Sequence, residues 1–281
     1  MSPKSLIRAQ TALSILALLT AAVLCLAVPA RAQQVTAAVG AAAKPAEAMF
    51  GGRDCAVPAR IARIAGTLPR TAKQLRDRQP LTIVAIGSSS TEGIGASAPA
   101  FAYPAQLERE LAKRFQASAV KVFNKGVGGE LARDMVARME RDAIAEKPDL
   151  VIWQTGTNDV ERGIASDAFA ATMRDGLARL RAAKIDVLIV DPQFCPRVAD
   201  RGGYPAYMDL IAALAEQNGA ALFRRLAVMR QWVSAGAFTM DTMLAGDKFH
   251  MNDRSYQCLA DRKSTRLNSS HIQKSRMPSS A

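Results

Sequence analysis

Residues 81–95 read Leu-Thr-Ile-Val-Ala-Ile-Gly-Ser-Ser-Ser-Thr-Glu-Gly-Ile-Gly, an apolar run that ends abruptly in glycine and a row of small hydroxyl residues. The run is uncharged and rich in β-branched residues, as expected for a parallel strand that is buried on both faces. Ligands of open α/β sheets bind beyond such carboxyl ends. Taken alone, however, a serine cluster in this place is most often an ordinary strand-to-helix turn whose hydroxyls serve as caps.

Strand-like and helix-like stretches alternate downstream of this run. Further strands are predicted at 120–124, 150–154, 185–191 and 220–223. Amphipathic helices, with apolar residues three and four apart, are predicted at 103–115, 132–141, 167–183, 204–218 and 224–234. Residues 61–78 indicate a helix upstream of the sheet. This alternation predicts a flavodoxin-like three-layer α/β/α sandwich, with a five-stranded parallel sheet in the order 2-1-3-4-5.

The first 32 residues have the features of a secretory signal peptide. Basic residues at the start precede an apolar run at 11–28, and the ending Ala30-Arg31-Ala32 fits cleavage before Gln33. A membrane anchor is the alternative, because the run approaches the roughly 18 residues that a spanning helix needs. The small residues before Gln33 favour removal. We therefore expect export to the periplasm or the extracellular space, with no stable membrane anchor.

The other end of the chain, residues 261–281, is polar and has no periodicity. Asp261–His271 matches, codon for codon, the translation of a sequencing-adapter oligonucleotide. The interpretation is a non-native tail, with a natural sequence that differs after about Ala260, and the genomic sequence of the 3′ end tests this. Between the two ends, residues 33–60 predict a flexible alanine-rich lead-in and residues 61–260 the folded domain.

The charge of the chain is concentrated in the end segments. The whole sequence has 37 Lys and Arg against 25 Asp and Glu, a formal net charge of +12 that at first suggests nucleic acid or an anionic membrane. The signal holds three of the basic residues, and the tail five with one acidic residue, so the remaining chain carries only +5. It has no basic run interleaved with aromatic residues. Nucleic acid is therefore discounted as a partner.

Polar residues follow each of the first three predicted strands and recur near the end of the domain. The second strand leads into Asn-Lys-Gly-Val-Gly-Gly-Glu at 124–130 and the third into Thr-Gly-Thr-Asn-Asp at 155–159. Asp247 and His250 come last, and His250 is the only histidine outside the tail. A serine hydrolase needs a nucleophile, a base, an acid that orients the base, and preorganised oxyanion donors. Gly129 can offer an unobstructed N–H and Asn158 a side-chain NH₂.

These four blocks resemble those of the SGNH, or GDSL-like, hydrolases over residues 81–260. Residues 87–93 match the family's Gly-Asp-Ser-x-Thr-x-Gly, Asn124 with Gly129 the second block, 156–159 the third and 247–250 the last. The resemblance implies Ser89 as the nucleophile, His250 as the base and Asp247 as its orienting acid. It also implies an oxyanion hole formed by the Ser89 and Gly129 N–H groups and Asn158, without metal or cofactor.

The sequence departs from this family at three positions near the predicted site. Ser88 stands where aspartate is usual, and Lys248 and Met251 replace a usual glycine and a usual proline or leucine beside His250. The polar residues predicted to line the substrate cleft are Ser88, Glu130 and Gln193. Gln193 is included because residues 191–195 resemble the family's segment after the fourth strand.

Three cysteines, Cys55, Cys195 and Cys258, lie between the signal and the tail. Export to an oxidising compartment favours a disulfide, and three single pairings are possible. We favour Cys55 with Cys258, which would join the segment before the first strand to the last helix. The alternative is three free thiols.

The sequence as a whole predicts a monomeric, exported serine carboxylester hydrolase that acts on short acyl esters, such as acetyl groups on polysaccharides. Two alternatives stay open: a non-catalytic glycan-binding or structural envelope protein, and an acyltransferase to sugar hydroxyls. Dinucleotide and P-loop interpretations of the first turn fail, because serines stand where glycines are needed and no Gly-Lys-Ser/Thr follows. A single histidine without Cys-x-x-Cys disfavours a metal site.

Overall fold

The computed structural model describes residues 55–116, 118–199 and 203–272, with side chains as far as Arg262 apart from Ala199. The predicted signal peptide, and the predicted lead-in as far as residue 54, lie outside the described residues. Residues 273–281 of the predicted tail also lie outside the described residues. The prediction of cleavage before Gln33 therefore stays a prediction.

A parallel sheet of five strands forms the centre of the fold, and its order is β2-β1-β3-β4-β5. The strands are β1 Leu81–Gly87, β2 Val120–Gly126, β3 Leu150–Gln154, β4 Asp186–Val190 and β5 Ala221–Phe223. Both the predicted strand order and the flavodoxin-like sandwich are confirmed. All five carboxyl ends consequently meet at one edge, where the loops after β1, β2 and β3 lie side by side.

Twelve α-helices are present in the described part of the chain, and they cover both faces of the sheet. They are α1 Ala59–Ala62, α2 Pro69–Arg76, α3 Ser89–Glu92, α4 Tyr103–Arg114, α5 Ala132–Asp142, α6 Thr157–Glu161, α7 Ser166–Ala182, α8 Pro196–Ala199, α9 Tyr204–Gln217, α10 Arg225–Ser234, α11 Met240–Met243 and α12 Asp253–Ile272. Short 3₁₀ turns occur at Pro99–Phe101 and Ile144–Glu146. The single helix expected at 61–78 is instead α1 and α2, because Gly66 with φ +88° and Pro69 interrupt it.

The core packs tightly against the central strand. Every residue of β3 is buried, and Trp153 is fully enclosed between the sheet and α7. A Cβ atom added at Gly176 of α7 would lie 2.6 Å from the Trp153 ring, so the helix needs a glycine there to approach the indole. Met135 of α5 accepts a hydrogen bond from Trp153 Nε1 at 3.3 Å. Truncating such a side chain costs about 3–5 kcal/mol of stability.

At the amino edge of the sheet, α2 is held by two carboxylates. Arg70 Nε donates to Asp149 Oδ1 at 2.8 Å. Asp186 Oδ2 accepts from both the N–H and the hydroxyl of Thr71, at 2.8 and 2.9 Å. These partly buried contacts lie at the edge opposite to the loops that follow the strands, so a change at Thr71 perturbs the fold without touching those loops.

A disulfide between Cys55 and Cys258 joins the start of the described chain to α12, with the two Cα atoms 5.1 Å apart. Cys55 is buried, and its carbonyl accepts a hydrogen bond from Trp232 Nε1 at 3.1 Å. Cys55 and α1 therefore pack with the domain upstream of residue 61, and the predicted domain boundaries stay a prediction. Helix α12 continues through Asp261, which pairs with Arg114 at 2.8 Å, and ends at Ile272 within the predicted tail.

Candidate active site

The turn after β1 is built around the side-chain amide of Gln154, at the end of β3. Gln154 Oε1 accepts from the Ser88 N–H at 3.1 Å and from the Thr91 hydroxyl at 3.0 Å. A Cβ atom at Gly87 would lie 2.2 Å from Thr91 Oγ1 and 2.9 Å from Gln154 Oε1, so no larger residue fits. Glycine at position 87 thus lets the end of β1 pack against Thr91 and Gln154, and Ser89 follows in the first turn of α3.

The structure brings Ser89, His250 and Asp247 into one chain of hydrogen bonds. His250 Nδ1 lies 2.5 Å from Asp247 Oδ2, and His250 Nε2 lies 2.8 Å from Ser89 Oγ. Because a carboxylate only accepts, the proton between Asp247 and His250 belongs to Nδ1, and in the neutral ring Nε2 is then the acceptor. The Ser89 hydroxyl therefore donates to Nε2, which is the arrangement that lets a histidine take a serine proton.

Asp247 is held as a carboxylate by its neighbours. Partial burial alone would raise the pKa of Asp247, but the hydrogen bonds that it accepts from His250 and from two backbone amides outweigh this, and its pKa is lowered. The two amides are those of Phe249 and His250, both 2.9 Å from Oδ1. One carboxylate oxygen thus organises the loop while the other orients the imidazole.

The loop that carries His250 has an unusual backbone at Lys248. Lys248 has φ +55°, a left-handed conformation that glycine adopts at lower cost, which explains why a glycine is usual there in the family that the sequence resembles. The Lys248 ammonium pairs with Asp241 at 2.5 Å on the surface. His250 O accepts from the Ala245 N–H at 2.7 Å, which closes the loop.

The predicted oxyanion donors lie on the neighbouring loops. Gly129 has φ +76°, and its carbonyl accepts from the exposed Arg162 at 2.8 Å. Asn158 Nδ2 donates to the carbonyl of Glu130 at 2.8 Å, which ties the loop after β3 to the loop after β2. An amide NH₂ has two donors, so one N–H of Asn158 is engaged and the second is left for a ligand. The Ser89 N–H lies in the first turn of α3 and has no acceptor within the helix, so it can donate to a ligand.

Asn124, from the second sequence block, has a supporting position. Its Nδ2 donates to the carbonyl of Glu92 at 3.2 Å, and its Oδ1 accepts from the Gly126 N–H at 2.9 Å. The Val127 N–H in turn donates to the carbonyl of Gly87 at 3.0 Å. These contacts fix the loop after β2 against the turn that carries Ser89.

Of the three residues predicted to line the substrate cleft, none faces it freely. Ser88 and Gln193 are only 3% and 0% exposed and bind protein groups behind Ser89, because side chains next to a strand end alternate between cleft and core. Glu130 binds Arg138 through both carboxylate oxygens, with distances of 2.7–2.9 Å. Arg138 also donates to the carbonyl of Lys125 at 2.8 Å, so Glu130 anchors α5 to the loop after β2.

Asp159 was not given a role from the sequence, although it belongs to the third block. Its two carboxylate oxygens accept from the Ala132 N–H at 3.1 and 3.2 Å, at the start of α5. Burial raises the pKa of Asp159 to about 6. The sequence shows only that Asp159 follows Asn158, a candidate oxyanion donor. The burial of its carboxyl group becomes visible in the structure.

The rim of the site is apolar on the side of β1 and β2. Ile94 and Val127, which are 42% and 44% exposed, are the exposed large hydrophobic residues of the described chain. The Ile94 N–H donates to the carbonyl of Ser89 at 3.0 Å, so this side chain projects next to the reactive turn. A surface cleft of about 570 Å³ lies beside the His250 loop and is lined by Gly95, Ala245 and Asn252 among others.

Comparisons with known proteins confirm the resemblance to the SGNH, or GDSL-like, hydrolases that the sequence shows. The profile of the Non-GDSL lipase-like family matches residues 54–267, and the chain belongs to this family. A curated relative, the acetylxylan esterase of Geobacillus stearothermophilus, is 30% identical over 122 residues, which is 40% of this chain and 56% of that esterase. The chain therefore spans about half the length of that relative.

Solved structures show the same fold. A two-domain esterase (CEX) active on acetylated mannans, solved with mannopentaose, superposes with a TM-score of 0.64 at 23% identity, over 75% of this chain and 56% of that one. LAE5, an α/β hydrolase enzyme from the metagenome of Lake Arreo, Spain, superposes with a TM-score of 0.57 at 26% identity, over 67% of this chain and 97% of that one.

In the described ranges, no three His, Cys, Asp or Glu side chains are grouped so that they could hold a metal ion. Over the same residues, none of the helices combines the length and the apolarity that crossing a bilayer requires.

Proposed function

We propose that the protein is a serine carboxylester hydrolase that removes short acyl groups, acetyl foremost, from polysaccharide hydroxyls. The observation that carries this proposal is the hydrogen-bonded chain from Asp247 through His250 to Ser89, at 2.5 and 2.8 Å. Membership of a lipase-like family supports the reaction class.

In the first half of the reaction, Ser89 Oγ attacks the ester carbonyl carbon while His250 Nε2 takes the hydroxyl proton. The carbonyl oxygen becomes an oxyanion, which the N–H groups of Ser89 and Gly129 and the second N–H of Asn158 stabilise. His250 then returns its proton to the departing alkoxide oxygen. The sugar hydroxyl leaves, and the acyl group stays on Ser89 as an ester.

In the second half, water takes the place of the alcohol. His250 Nε2 removes a proton from the water, whose oxygen attacks the acyl carbon and forms a second oxyanion in the same hole. When this collapses, the proton on His250 passes to Ser89 Oγ, and the carboxylic acid is released. Asp247 holds the ring in one tautomer throughout and stabilises the imidazolium that forms twice per turnover.

The proposed substrate follows from the shape of the rim and from the relatives. Ile94 follows the turn of Ser89 and Val127 follows β2, and both are exposed apolar residues, which suit a small acyl group or the apolar face of a sugar better than a long buried chain. An acetylxylan esterase and an esterase active on acetylated mannans are among the similar proteins. Both relatives support acetylated polysaccharides such as xylan and mannan as the substrate class.

Acetate release from acetylated xylan and acetylated mannan tests the proposal. The protein should release acetate from one or both, and Ser89→Ala should reduce the rate by several orders of magnitude. Ser234→Ala, which changes an exposed serine at the end of α10, is the matched control and should keep the wild-type rate. Equal rates for wild-type protein and Ser89→Ala would refute the assignment.

A covalent probe separates an enzyme from a non-catalytic glycan binder on the same fold. A fluorophosphonate reacts only with an activated serine, so it should label the wild-type protein and not His250→Ala. A protein that binds acetylated glycan but resists the probe would be a binder. Adding a sugar acceptor then distinguishes hydrolysis from acyl transfer, because a transferase would give an acetylated acceptor in place of acetate.

We also propose that the protein is exported as a monomer. The disulfide between Cys55 and Cys258 supports this location, because disulfides persist in oxidising compartments and are rare in the cytosol. Cell fractionation of a producing strain, followed by light scattering of the purified protein, tests both statements.

A further inference from the structure

Gln193, in the segment after β4, touches both halves of the proposed catalytic apparatus and is itself completely buried. Its Oε1 accepts from the Ser90 hydroxyl at 2.7 Å. Its Nε2 donates to the carbonyl of Phe249 at 2.8 Å. Ser90 directly follows the nucleophile and Phe249 directly precedes the base, so one amide spans the two segments that must meet for catalysis.

The orientation of this amide is fixed by its partners. The carbonyl of Phe249 can only accept, so the NH₂ group of Gln193 must face it. Oε1 then faces Ser90, whose hydroxyl must donate. The bridge therefore needs a neutral group that donates on one side and accepts on the other, over the length of a glutamine side chain.

The backbone that carries Gln193 is firmly anchored. Tyr204 donates its phenolic hydrogen to the carbonyl of Gln193 at 2.6 Å. Asp191, two residues before Gln193, accepts from the Leu226 N–H through Oδ1 at 3.0 Å. Its backbone carbonyl accepts from Nε of buried Arg225, also at 3.0 Å. Hydrogen bonds thus hold the segment of Gln193, which follows β4, to α9 and to the start of α10.

The loop of His250 packs against Gly95, and Arg197 lies over its Phe249 ring, while its other hydrogen bonds include several within the loop itself. Asp247 binds the amides of Phe249 and His250, and Ala245 binds the carbonyl of His250. The pair of Lys248 and Asp241 is exposed and contributes little. Contacts inside a loop shape it but do not set its position relative to Ser89, which lies 161 residues away in sequence.

We propose that Gln193 is a positioning residue that fixes His250 relative to Ser89, by bridging Ser90 and Phe249 through its side-chain amide. The inference rests on the proposed function, in which a proton passes between Ser89 Oγ and His250 Nε2 in both chemical steps, from the serine to the histidine in the first and back in the second. A displacement of about 1 Å between reacting groups can lower turnover about 10²-fold.

The first test is Gln193→Met, which keeps the length and volume of the side chain and removes both hydrogen bonds. Turnover on p-nitrophenyl acetate should fall about 10²-fold with little change in KM, because the amide does not touch the substrate. Thr71→Val is the matched control, since it removes a buried hydroxyl bond at the opposite edge of the sheet. It should lower Tm comparably and leave turnover unchanged.

The second test is Gln193→Glu, which distinguishes positioning from a general loss of stability through its pH profile. As a carboxylate, Glu would place an acceptor against the carbonyl of Phe249 and break the bridge. As a neutral acid it would again donate on one side and accept on the other. The ratio of its kcat to the wild-type kcat should therefore rise as pH falls and the new carboxyl group protonates, whereas the ratio for Gln193→Met should stay constant.

Wild-type activity tests the proposed function, and the activity of the Gln193 variants tests the positioning role. If wild-type protein neither hydrolyses esters nor reacts with a fluorophosphonate, the proposed function fails. If wild-type protein is active and folded Gln193→Met keeps its kcat within twofold, the positioning role is overturned. Should Gln193→Met fail to fold, Ser90→Ala decides, because it removes one arm of the bridge. A loss of about tenfold in kcat supports the role, and an unchanged kcat refutes it.

Discussion

His250 Nδ1 lies 2.5 Å from Asp247 Oδ2 across a turn in which Lys248 adopts φ +55°. This contact stabilises the tautomer with hydrogen on Nδ1, in which Nε2 can accept the Ser89 proton. Asparagine at position 247 can present its NH₂ to the ring and stabilise the opposite tautomer. Asp247→Asn should therefore reduce kcat by about 10⁴-fold with little change in KM, measured on p-nitrophenyl acetate.

The control for this variant is Asp241→Asn, which removes an exposed carboxylate that pairs with Lys248 on the same loop. It should keep near wild-type turnover, because exposed ion pairs contribute little. If Asp247→Asn were as active as Asp241→Asn, the orienting role of Asp247 would be disproved.

Asn158 is expected to act in the transition state. Asn158→Ala removes one oxyanion donor and should lower kcat by about 10²–10³-fold while KM changes little. Asn218→Ala removes a similar amide that caps the carbonyl of Leu214 at the end of α9, and it should leave kcat unaltered. A change confined to KM in Asn158→Ala would instead indicate ground-state binding.

The turn at Gly87 should tolerate no side chain. In Gly87→Ala, a Cβ atom 2.2 Å from Thr91 Oγ1 must displace either Thr91 or Gln154, both of which hold the turn of Ser89. We expect a loss of about 1–3 kcal/mol in the free energy of unfolding, as for other overpacked sites, together with reduced activity. Gly203→Ala, where nothing lies within 4 Å, provides the comparison and should be nearly neutral.

The pKa of Asp159 predicts how stability changes with pH. Because folding raises this pKa from 3.8 to about 6, the folded protein holds a proton that the unfolded chain has released between these values. Stability from this group is therefore fully present below about pH 4 and is lost as pH rises to about 6, by about 3 kcal/mol. The free energy of unfolding, measured with urea at pH 4, 5, 6 and 7, should fall by about 3 kcal/mol more in the wild-type protein than in Asp159→Asn. Parallel curves for the two proteins would contradict the raised pKa.

Much of the fold could be predicted from the sequence because its signals are local. The uncharged run at 81–86 and the Leu-Val-Ile-Trp run at 150–153 are typical of buried strands. Helical stretches, whose apolar residues are three and four apart, alternate with them. Parallel strands put their carboxyl ends at one edge, so blocks far apart in sequence were expected to meet there. Ser89, Asp247 and His250 do meet at that edge.

The direction of individual side chains could not be predicted in the same way. Gln193 and Glu130 follow strands as cleft residues do, yet one turns into the core and the other binds Arg138 of the next helix. The role of Gln154 was missed, because a polar residue that ends an apolar strand has no recognisable spacing to Ser88. Such contacts depend on the direction that each side chain takes at the end of its strand, which the predicted strand order does not specify.

The account depends most directly on the reactivity of a single oxygen atom, Ser89 Oγ. Treating the protein with a fluorophosphonate, digesting it and sequencing the peptides by mass spectrometry locates any adduct. The account predicts one phosphonylated residue, Ser89, with parallel loss of acetate release from acetylated xylan. An adduct at Ser88 or Ser90, or full labelling with undiminished acetate release, would contradict it.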